Sequence, residues 1–572
     1  MVSASVTFSW SVKEATVGGE SISACLKSKK LLSIVEDIVA RYIFIFCGIC
    51  LFLSANSSIF AAFSPVFATS EECAFCHTSS ATALIDSEGN DLSIADDWSS
   101  TMMANSFWDP LFRAKFESEM ARNPHLADVI EDKCLTCHTP MGRTQAIRDG
   151  GESYSLSDAG NSELAWDGVS CTLCHQIQGD NFGSEQSFSG NYLINNDRKI
   201  FGPYKQVFPN PMINHVNYLP VYGEQVDRPE LCATCHTLFT PYIDGDGKIA
   251  GKFPEQTPFL EWLNSAYSSS ENYQSCQDCH MPRIDEPVKI TNRPPWYQVR
   301  QTPFWKHHFI GGNKFVLTMM RDQREHLGIM VSEAQFERTI KRTEERLGRE
   351  AAGISISRLE QRGNRLMVDV GVYNKTGHKF PTGFPSRRAW IHLSVADAQG
   401  QVIFESGNYT SQGEIIGLND SYEPHYNLVD SAEQIQIYES ILGDISGTQT
   451  YTLLQAATYL KDNRLPPKGY LKSGPMTEFT TIKGDAATDN NFNVSDNLEG
   501  SGADLVTYAI VTDGVSYPLT VKAELLYQSS NRRFLENLFT DDTPAVSRFK
   551  QMYKESDNLP VVVDSTVLDW NK

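Results

Sequence analysis

Positive charge is scarce in this chain. The 572 residues include 49 Lys and Arg against 70 Asp and Glu, which gives a formal net charge of −21. Because phosphate backbones are bound by clustered Lys and Arg, this composition argues against a nucleic acid as partner. A long apolar run is also missing. The run from Tyr42 to Leu53 is shorter than the roughly 20 residues that a membrane-spanning helix needs.

The N-terminal segment has the order of charges and apolar residues that is typical of an export signal. The apolar run follows four basic residues, Lys27, Lys29, Lys30 and Arg41. A less apolar stretch comes after the run and ends at the small residue Ala68. We therefore predict that residues 1–68 are a signal peptide cleaved after Ala68, with an uncleaved membrane anchor as the alternative. Either form exports the protein to the periplasm, the cell surface or the exterior.

Cysteine is absent downstream of Ala68 except in five copies of one motif, Cys-x-x-Cys-His. This spacing is typical of c-type haem attachment. Together the five motifs use all ten cysteines of that part of the chain. The motifs are Cys73-Ala-Phe-Cys76-His77, Cys134-Leu-Thr-Cys137-His138, Cys171-Thr-Leu-Cys174-His175, Cys232-Ala-Thr-Cys235-His236 and Cys276-Gln-Asp-Cys279-His280.

The motif has a chemical reason. Two thiols separated by two residues each add to a vinyl group of one porphyrin, and the adjacent histidine reaches the iron as an axial ligand. Disulfides, zinc sites and thioredoxin-like dithiols also use Cys-x-x-Cys, but none of them requires a histidine after every pair. The sequence therefore predicts five covalently attached haem c groups and their iron.

The distribution of the motifs predicts the organisation of the chain. Residues 69–312 hold all five motifs and are rich in turn residues, so we expect a loop-rich, mainly α multihaem domain whose interior is filled by the haems. We expect a helical connector over residues 313–352, a β-sandwich-like domain over 353–540 and an extended tail over 541–572. The fold class is therefore α+β and multidomain.

Local patterns predict several elements. Residues 109–122 are expected to be helical, and Ser332 with Gln335 forms the capping box of a connector helix. Alternating apolar residues from Leu366 to Val372 and from Ile391 to Val395 predict strands. Residues 505–511 and 519–527 are expected to form a late hairpin, and residues 452–462 are expected to be locally helical.

The ligand on the second side of each iron decides the chemistry. A second histidine gives a low-spin electron carrier, a methionine raises the potential, and an open position admits a small molecule. His215 is expected to bind iron because its loop lies between two motifs. One of His307 and His308 is a second candidate. His378, in a turn-rich loop that leaves a strand, is a third, and His125 is a fourth.

With these features the chain resembles the multihaem c-type cytochromes of respiratory bacteria, particularly those that metal-reducing organisms export. The resemblance covers most of the chain after Ala68 and implies long-range electron transfer through stacked, mostly bis-histidine haems. The residues that carry it are Gly168-Val-Ser-Cys171, Cys279-His280-Met281-Pro282, His308-Phe-Ile-Gly-Gly-Asn313 and Thr376-Gly-His378-Lys-Phe-Pro-Thr-Gly383-Phe-Pro-Ser-Arg-Arg388-Ala-Trp390.

The chain departs from the resemblance at one position. Similar proteins often follow the first motif with Trp-x-x-Ser-x-His-Ala, whose histidine binds a haem, whereas Met103 stands at the place of that histidine here. We therefore predict His/Met ligation of one haem, that of the first motif, with a raised potential. The alternative is that Met102 and Met103 only fill space against porphyrin.

Three functions follow as hypotheses. The first is an electron-transfer protein of extracytoplasmic respiration, without enzymatic activity, that serves other redox proteins or a terminal acceptor. The second is a reductase of a small nitrogen or sulfur compound at a five-coordinate haem. Pentahaem nitrite reductases generally carry Lys instead of His in one motif, and no such motif occurs here. The third is a homo-oligomeric or membrane-associated assembly, such as a surface filament built through strand edges.

Overall fold

The structure is a computed structural model that describes residues 66–419 and 421–571, all within one compact unit. Most of the helices are short, as expected for a chain rich in turn residues. In chain order they are α1 (Ser70–His77), α2 (Ile94–Ser99), α3 (Pro110–Arg122), α4 (Ala127–His138), α5 (Pro140–Arg148), α6 (Leu156–Ala159), α7 (Glu163–Trp166), α8 (Cys171–Cys174), α9 (Asn210–Val216), α10 (Pro229–Ala233), α11 (Pro258–Leu263), α12 (Cys276–His280), α13 (Lys314–Leu327), α14 (Glu333–Arg346), α15 (Thr477–Thr480), α16 (Arg532–Leu538) and α17 (Pro544–Glu555).

The strands concentrate in the second half of the chain. They are β1 (Lys199–Gly202), β2 (Leu219–Tyr222), β3 (Leu238–Ile243), β4 (Ile249–Gln256), β5 (Arg283–Ile284), β6 (Phe304–Trp305), β7 (Ala352–Arg362), β8 (Arg365–Asn374), β9 (Arg388–Ala396), β10 (Val402–Ser406), β11 (Leu428–Val429), β12 (Ile437–Gly443), β13 (Thr458–Asp462), β14 (Val494–Ser495), β15 (Leu498–Glu499), β16 (Ala503–Val511), β17 (Leu519–Gln528) and β18 (Val561–Trp570). The presence of both helices and sheets agrees with the α+β prediction.

Two sheets share one apolar core. The larger has the order β13-β12-β9-β17-β18 with β10 also paired to β9, and the smaller has the order β11-β16-β8-β7. Alternate residues of a strand lie on one face, and the alternating apolar residues of β8 and β9 face the shared core. Val368, Val370, Leu393 and Val395 are fully buried there. The strands predicted from residues 366–372 and 391–395 are confirmed.

The predicted late hairpin is wrong. The strands β16 and β17 both form, but β16 pairs with β8 and β11, whereas β17 pairs with β9 and β18. The segment between them crosses from one sheet to the other. The alternation of apolar residues sets which face of a strand is buried, but it does not choose the neighbouring strand.

Two further segments differ from expectation. Residues 452–462 form a short 3₁₀ turn and then β13, because pairing with β12 overrides the local helical preference. Residues 541–572 were expected as an extended tail, but they contain α17 and β18. Val563 of β18 is 1% exposed in the core between the sheets, so this segment is part of the fold.

A helical layer joins distant parts of the chain. Residues of α3, α13, α14, α16 and α17 bury a second apolar core. The helix predicted over residues 109–122 is confirmed as α3, and Asp109 is its N-cap. The capping box of Ser332 and Gln335 opens α14 and is confirmed. The domain boundaries at 312/313, 352/353 and 540/541 stay predictions, because the helices on both sides of them share this core.

The predicted signal segment lies outside the described residues except for its last three. The carbonyl of Val66 accepts hydrogen bonds from Tyr218 (2.7 Å) and Gln176 (2.9 Å), and Phe67 is 1% exposed. Cleavage after Ala68 would remove these contacts. In the part of the chain that is described, every helix is too short or too polar to cross a bilayer.

Candidate cofactor-binding site

The five motifs converge on one internal cavity. All ten motif cysteines and all five motif histidines line it, and its volume is about 1240 Å³. The cysteines are free thiols at intermediate exposure. Residues that are spread over more than two hundred positions therefore reach a single continuous space, which is the arrangement that several neighbouring haems require.

Short helices present the thiols. In α12 the Ser275 side chain accepts a hydrogen bond from the amide of Asp278, and the Asp278 carboxylate accepts one from the amide of Ser275. This capping box fixes the single turn that carries Cys276 and Cys279. Motifs one, two and three also lie on helices, α1, α4 and α8, and the fourth begins on α10.

Thiols of different motifs lie close to one another. Interaction with Cys171 of the third motif, together with burial, raises the pKa of Cys73 of the first. The second motif meets the fourth through Cys137 and Cys235, and the fourth meets the fifth through Cys232 and Cys276. The fourth motif therefore has at least two neighbours among the others.

A glycine permits one of these close approaches. Gly190 has a φ of +85°, and a Cβ placed on it would lie 2.3 Å from Cγ2 of Thr136 and 3.3 Å from Sγ of Cys137. Its amide donates to the carbonyl of Thr234 in the fourth motif (2.7 Å). A larger residue would separate the second motif from the fourth.

Four of the five motif histidines are held by a hydrogen bond from one ring nitrogen. Nδ1 of His77 hydrogen-bonds to the carbonyl of Ile290 (2.9 Å), and Nδ1 of His175 hydrogen-bonds to that of Phe201 (2.6 Å). The carbonyls of Ser106 and Ile310 have the same role for His138 and His280. This pattern orients an imidazole and leaves Nε2 for a metal.

Burial keeps these imidazoles neutral, which is the form that binds metal. It lowers the pKa of His138 and of His280 to about 4. It also lowers the pKa of His307 to about 3, with a further contribution from the neighbouring His175. None of the three is therefore protonated near neutral pH.

Two pairs of histidines face each other across the cavity. The ring centres of His175 and His307 lie 6.3 Å apart at an interplanar angle of 22°, and those of His280 and His378 lie 6.2 Å apart at 20°. This spacing is the sum of two metal–nitrogen bonds of about 2 Å each and the distances from the two nitrogens to their ring centres. His307 and His378 also hydrogen-bond through Nδ1 to backbone carbonyls. Both pairs fit bis-histidine ligation of a haem iron.

The other predicted histidines are placed differently. Nε2 of His308 lies 3.2 Å from the carboxylate of Asp97, and His308 does not line the cavity, so the structure favours His307 of the two neighbours. His125 hydrogen-bonds through Nε2 to the carbonyl of Gly247 (2.8 Å), also away from the cavity. His215 does line the cavity, 3.6 Å from the carboxylate of Glu72.

Met102 and Met103 both line the cavity, but their surroundings differ. Sδ of Met102 accepts a hydrogen bond from Asn313 (3.8 Å), and its side chain packs against the helical layer. Met103 is anchored through its backbone carbonyl, which accepts from the amide of Val169 (2.9 Å). Because the sulfur of Met102 already accepts from Asn313, Met103 stays the candidate ligand.

Replacing Met103 by histidine tests the predicted His/Met ligation. In the haem-loaded protein we expect the weak far-red band of a methionine-bound ferric haem to disappear and the potential of one haem to fall, because histidine stabilises the ferric state more than methionine does. The spectrum and a potentiometric titration measure both effects. Met102→His is the matched control and should keep the band. Absence of the band from the parent protein would exclude the ligation.

The structure adds charged residues that sequence reasoning missed. Lys115 and Glu119 form a buried pair (2.6 Å) that lines the cavity next to the second motif. Glu255 lies there as well, and burial raises its pKa. The i,i+4 spacing of this pair on α3 is visible in the sequence, but only the tertiary structure shows that the pair is buried against the cavity.

Arg387 is a further such residue. It lines the cavity, and its guanidinium donates to the carbonyl of Thr382 (2.7 Å). Burial lowers the pKa of His236, and the charge of Arg387 lowers it further. No carboxylate of the described residues pairs with Arg387. A half-buried guanidinium without a carboxylate partner fits the acidic propionate groups of a haem. The thiols, the imidazoles and this cation together fit the haem group.

Comparison with known proteins gives one structural similarity. No protein-family model and no curated protein sequence matches the chain. The crystal structure of a penta-heme cytochrome c552 from Thermochromatium tepidum is similar over 89% of this chain and 100% of that chain, with 16% sequence identity and a TM-score of 0.49. This similarity is too low to transfer any residue role. The function is therefore argued from the motifs and the cavity.

Proposed function

We propose that the protein is a multihaem c-type cytochrome that passes single electrons along five covalently attached haems in respiration outside the cytoplasm. The observation that carries this proposal is the single cavity onto which all ten motif cysteines and all five motif histidines open. When bound there, haem iron supplies reversible one-electron exchange between its ferric and ferrous states.

The chain's own residues make the cavity suitable for a carrier. The facing pairs His175/His307 and His280/His378 would occupy both axial positions of two irons, which leaves no position for a substrate there. Holding each imidazole by a backbone carbonyl keeps the ligands fixed when the charge of the iron changes. Because the iron ligands would then move little when an electron is transferred, electron exchange would be rapid.

The thiol contacts suggest a branched order of the haems. The fourth motif contacts the second and the fifth through its cysteines, and Cys174 of the third motif interacts electrostatically with Cys232 and Cys235. The first motif contacts the third. In this arrangement the haem of the fourth motif is the junction, and those of the first, second and fifth motifs are ends.

Removing one motif at a time tests the junction. The variant C232A/C235A should lose one haem by mass and divide the fast reduction of the remaining haems into separate fast and slow phases, as observed by stopped-flow spectroscopy. The variant C73A/C76A removes an end and should lose one haem with a single fast process retained. A parent mass that shows fewer than five haems would contradict the proposal, and equal kinetics in the two variants would contradict the branched order.

A second candidate function is reduction of a small nitrogen or sulfur compound. Among the described residues, no histidine faces His77, His138 or His236 at the spacing of the two pairs, and the buried Lys115–Glu119 pair lies beside the second motif, where it could deliver protons. The electron paramagnetic resonance spectrum of the oxidised protein separates the two functions. A fully low-spin spectrum supports the carrier, and a stoichiometric high-spin signal supports the reductase.

A further inference from the structure

Exposed apolar side chains gather around the first motif. Large apolar residues normally occur singly on a protein surface, and a cluster of them marks an interaction site. Trp296 is 68% exposed and Phe75, within the motif itself, is 49% exposed. We define the first-motif patch as the six outward-facing residues Phe75, Ile213, Leu219, Tyr222, Trp296 and Val299.

The segments that carry the patch form a continuous surface. Phe208 packs against Trp296 with ring centres 5.6 Å apart, and Phe75 stacks on His215 at 4.7 Å. Leu219 and Tyr222 are the exposed end residues of β2, which pairs with β1, and Nζ of Lys205 lies 5.4 Å from the ring centre of Tyr222. These contacts connect residues that are far apart in the chain.

Cofactor binding does not account for the patch. Val207, Phe208, His215 and Tyr297 line the cavity next to the first motif and would pack against a haem, whereas none of the six patch residues lines it. Val207 and Phe208 are also exposed, so the cavity reaches the surface at this place. The patch therefore lies outside the cofactor cavity, next to residues that line it.

Exposed cations border this surface. Residues 198–222 and 283–306, which carry five of the six patch residues, contain eight Lys and Arg and two Asp and Glu, although Lys289 is buried and Lys199 is paired with Asp197 (2.9 Å). Lys205, Arg293 and Arg300 are exposed there and form no ion pair with another described residue. Arg293 lies 4.3 Å from the ring centre of Phe75, so positive charge directly borders the apolar centre.

We propose that the first-motif patch is the docking surface for an electron-transfer protein whose own contact surface is acidic. This inference rests on the proposed function, because it assigns the first motif as the end of the haem array at which electrons enter or leave. An apolar centre with an unpaired cationic rim is the arrangement that transient redox complexes need. Charge steers the encounter, and a small apolar contact allows rapid release.

Charge reversal of the rim tests the proposal. The variant K205E/R300E is compared with K341E/R548E, which places the same change of charge on the exposed faces of α14 and α17. Arg293 is left unchanged because it also lines the cofactor cavity. The probe is a reduced acidic plant-type ferredoxin mixed with the oxidised, haem-loaded protein in a stopped-flow instrument at several ionic strengths. We expect the second-order rate at low salt to fall by about tenfold or more in the rim variant, and by much less in the control. The dependence on salt should also be largely lost.

Two further measurements complete the test. The variant W296S should slow reduction by ferredoxin but not reduction by dithionite, which needs no docking. Equal rates for the rim variant and its control would overturn the docking surface, and so would a patch that proves to join two copies of this chain in analytical ultracentrifugation. Haem content and the potentiometric titration are measured on the same samples. A missing haem complement is therefore recognised as failure of the proposed function and not of the docking surface.

Discussion

Replacing His307 by alanine is expected to turn one iron per molecule from low spin to high spin. His307 faces His175 at 6.3 Å between ring centres, and alanine removes one of the two axial nitrogens while Cys171 and Cys174 keep the haem attached. The electron paramagnetic resonance spectrum of the oxidised protein should gain a high-spin signal of one iron per chain. His378→Ala should give the same result at the fifth motif, where His378 faces His280.

The neighbouring histidine is the matched control. His308 contacts Asp97, whose carboxylate also pairs with Arg342 at 2.8 Å. His308→Ala should therefore reduce stability without changing the spin state, and His125→Ala, on the surface, should change neither. A high-spin signal in His308→Ala but not in His307→Ala would reverse the assignment of the two neighbours.

Replacing Asp462 by alanine is expected to cost about 3–5 kcal/mol of folding free energy. Its carboxylate lies 2.6 Å from Nζ of Lys379 and 2.8 Å from the guanidinium of Arg464, and all three side chains are nearly inaccessible to solvent. Alanine would leave two buried cations with one carboxylate, that of Glu261. A large decrease of the denaturation midpoint in urea measures the loss.

The exposed pair of Lys341 and Glu345 provides the control. Its atoms lie 4.0 Å apart at the surface of α14, so Glu345→Ala should change the free energy of unfolding by no more than about 0.5 kcal/mol. A similar midpoint for Asp462→Ala and Glu345→Ala would contradict the importance of the buried network.

The same network predicts the acid limit of stability. Burial opposes ionisation of Asp462, but Arg464 and Lys379 outweigh it, so its pKa lies below the ordinary value of 3.8. A carboxyl with a lowered folded-state pKa stabilises the protein above its unfolded-state pKa, and that contribution is lost as pH falls through the folded-state pKa. The parent should lose this stabilisation below about pH 4. Asp462→Ala should lack that part of the pH dependence.

This network also positions the candidate ligand His378. The amide of Lys379, the next residue, donates to the carboxylate of Glu261 (2.9 Å), and the hydroxyl of Thr382 donates to the same carboxylate (2.6 Å). The loop that carries His378 is therefore fixed by charges from two separate segments, around Glu261 and around Asp462 and Arg464. Sequence reasoning identified the loop, but its supporting charges lie at positions 261, 462 and 464 and share no local pattern.

The sequence predicted those features that depend only on residues close together in the chain. The spacing of the motifs indicates which thiols and which imidazole serve one porphyrin, because all three lie within a single turn. The capping box of Ser332 and Gln335 and the alternation from Leu366 to Val372 were predicted for the same reason, and both are confirmed. Each of these patterns depends on residues fewer than eight positions apart.

Contacts between distant residues were decided by the tertiary structure alone. The alternation of apolar residues predicted that β16 and β17 are strands, but it did not show that they belong to different sheets. Nothing in the sequence favoured either His307 or His308 over the other. In the structure His307 faces His175, whereas His308 contacts Asp97. The net charge of −21 suggested an acidic protein, whereas folding gathers cations and apolar rings around the first motif. The sequence by itself predicted five haems and the cysteines that would attach them, because each motif is local. Which histidines face each other across the cavity depends on packing between segments about a hundred residues apart, and no local pattern encodes that.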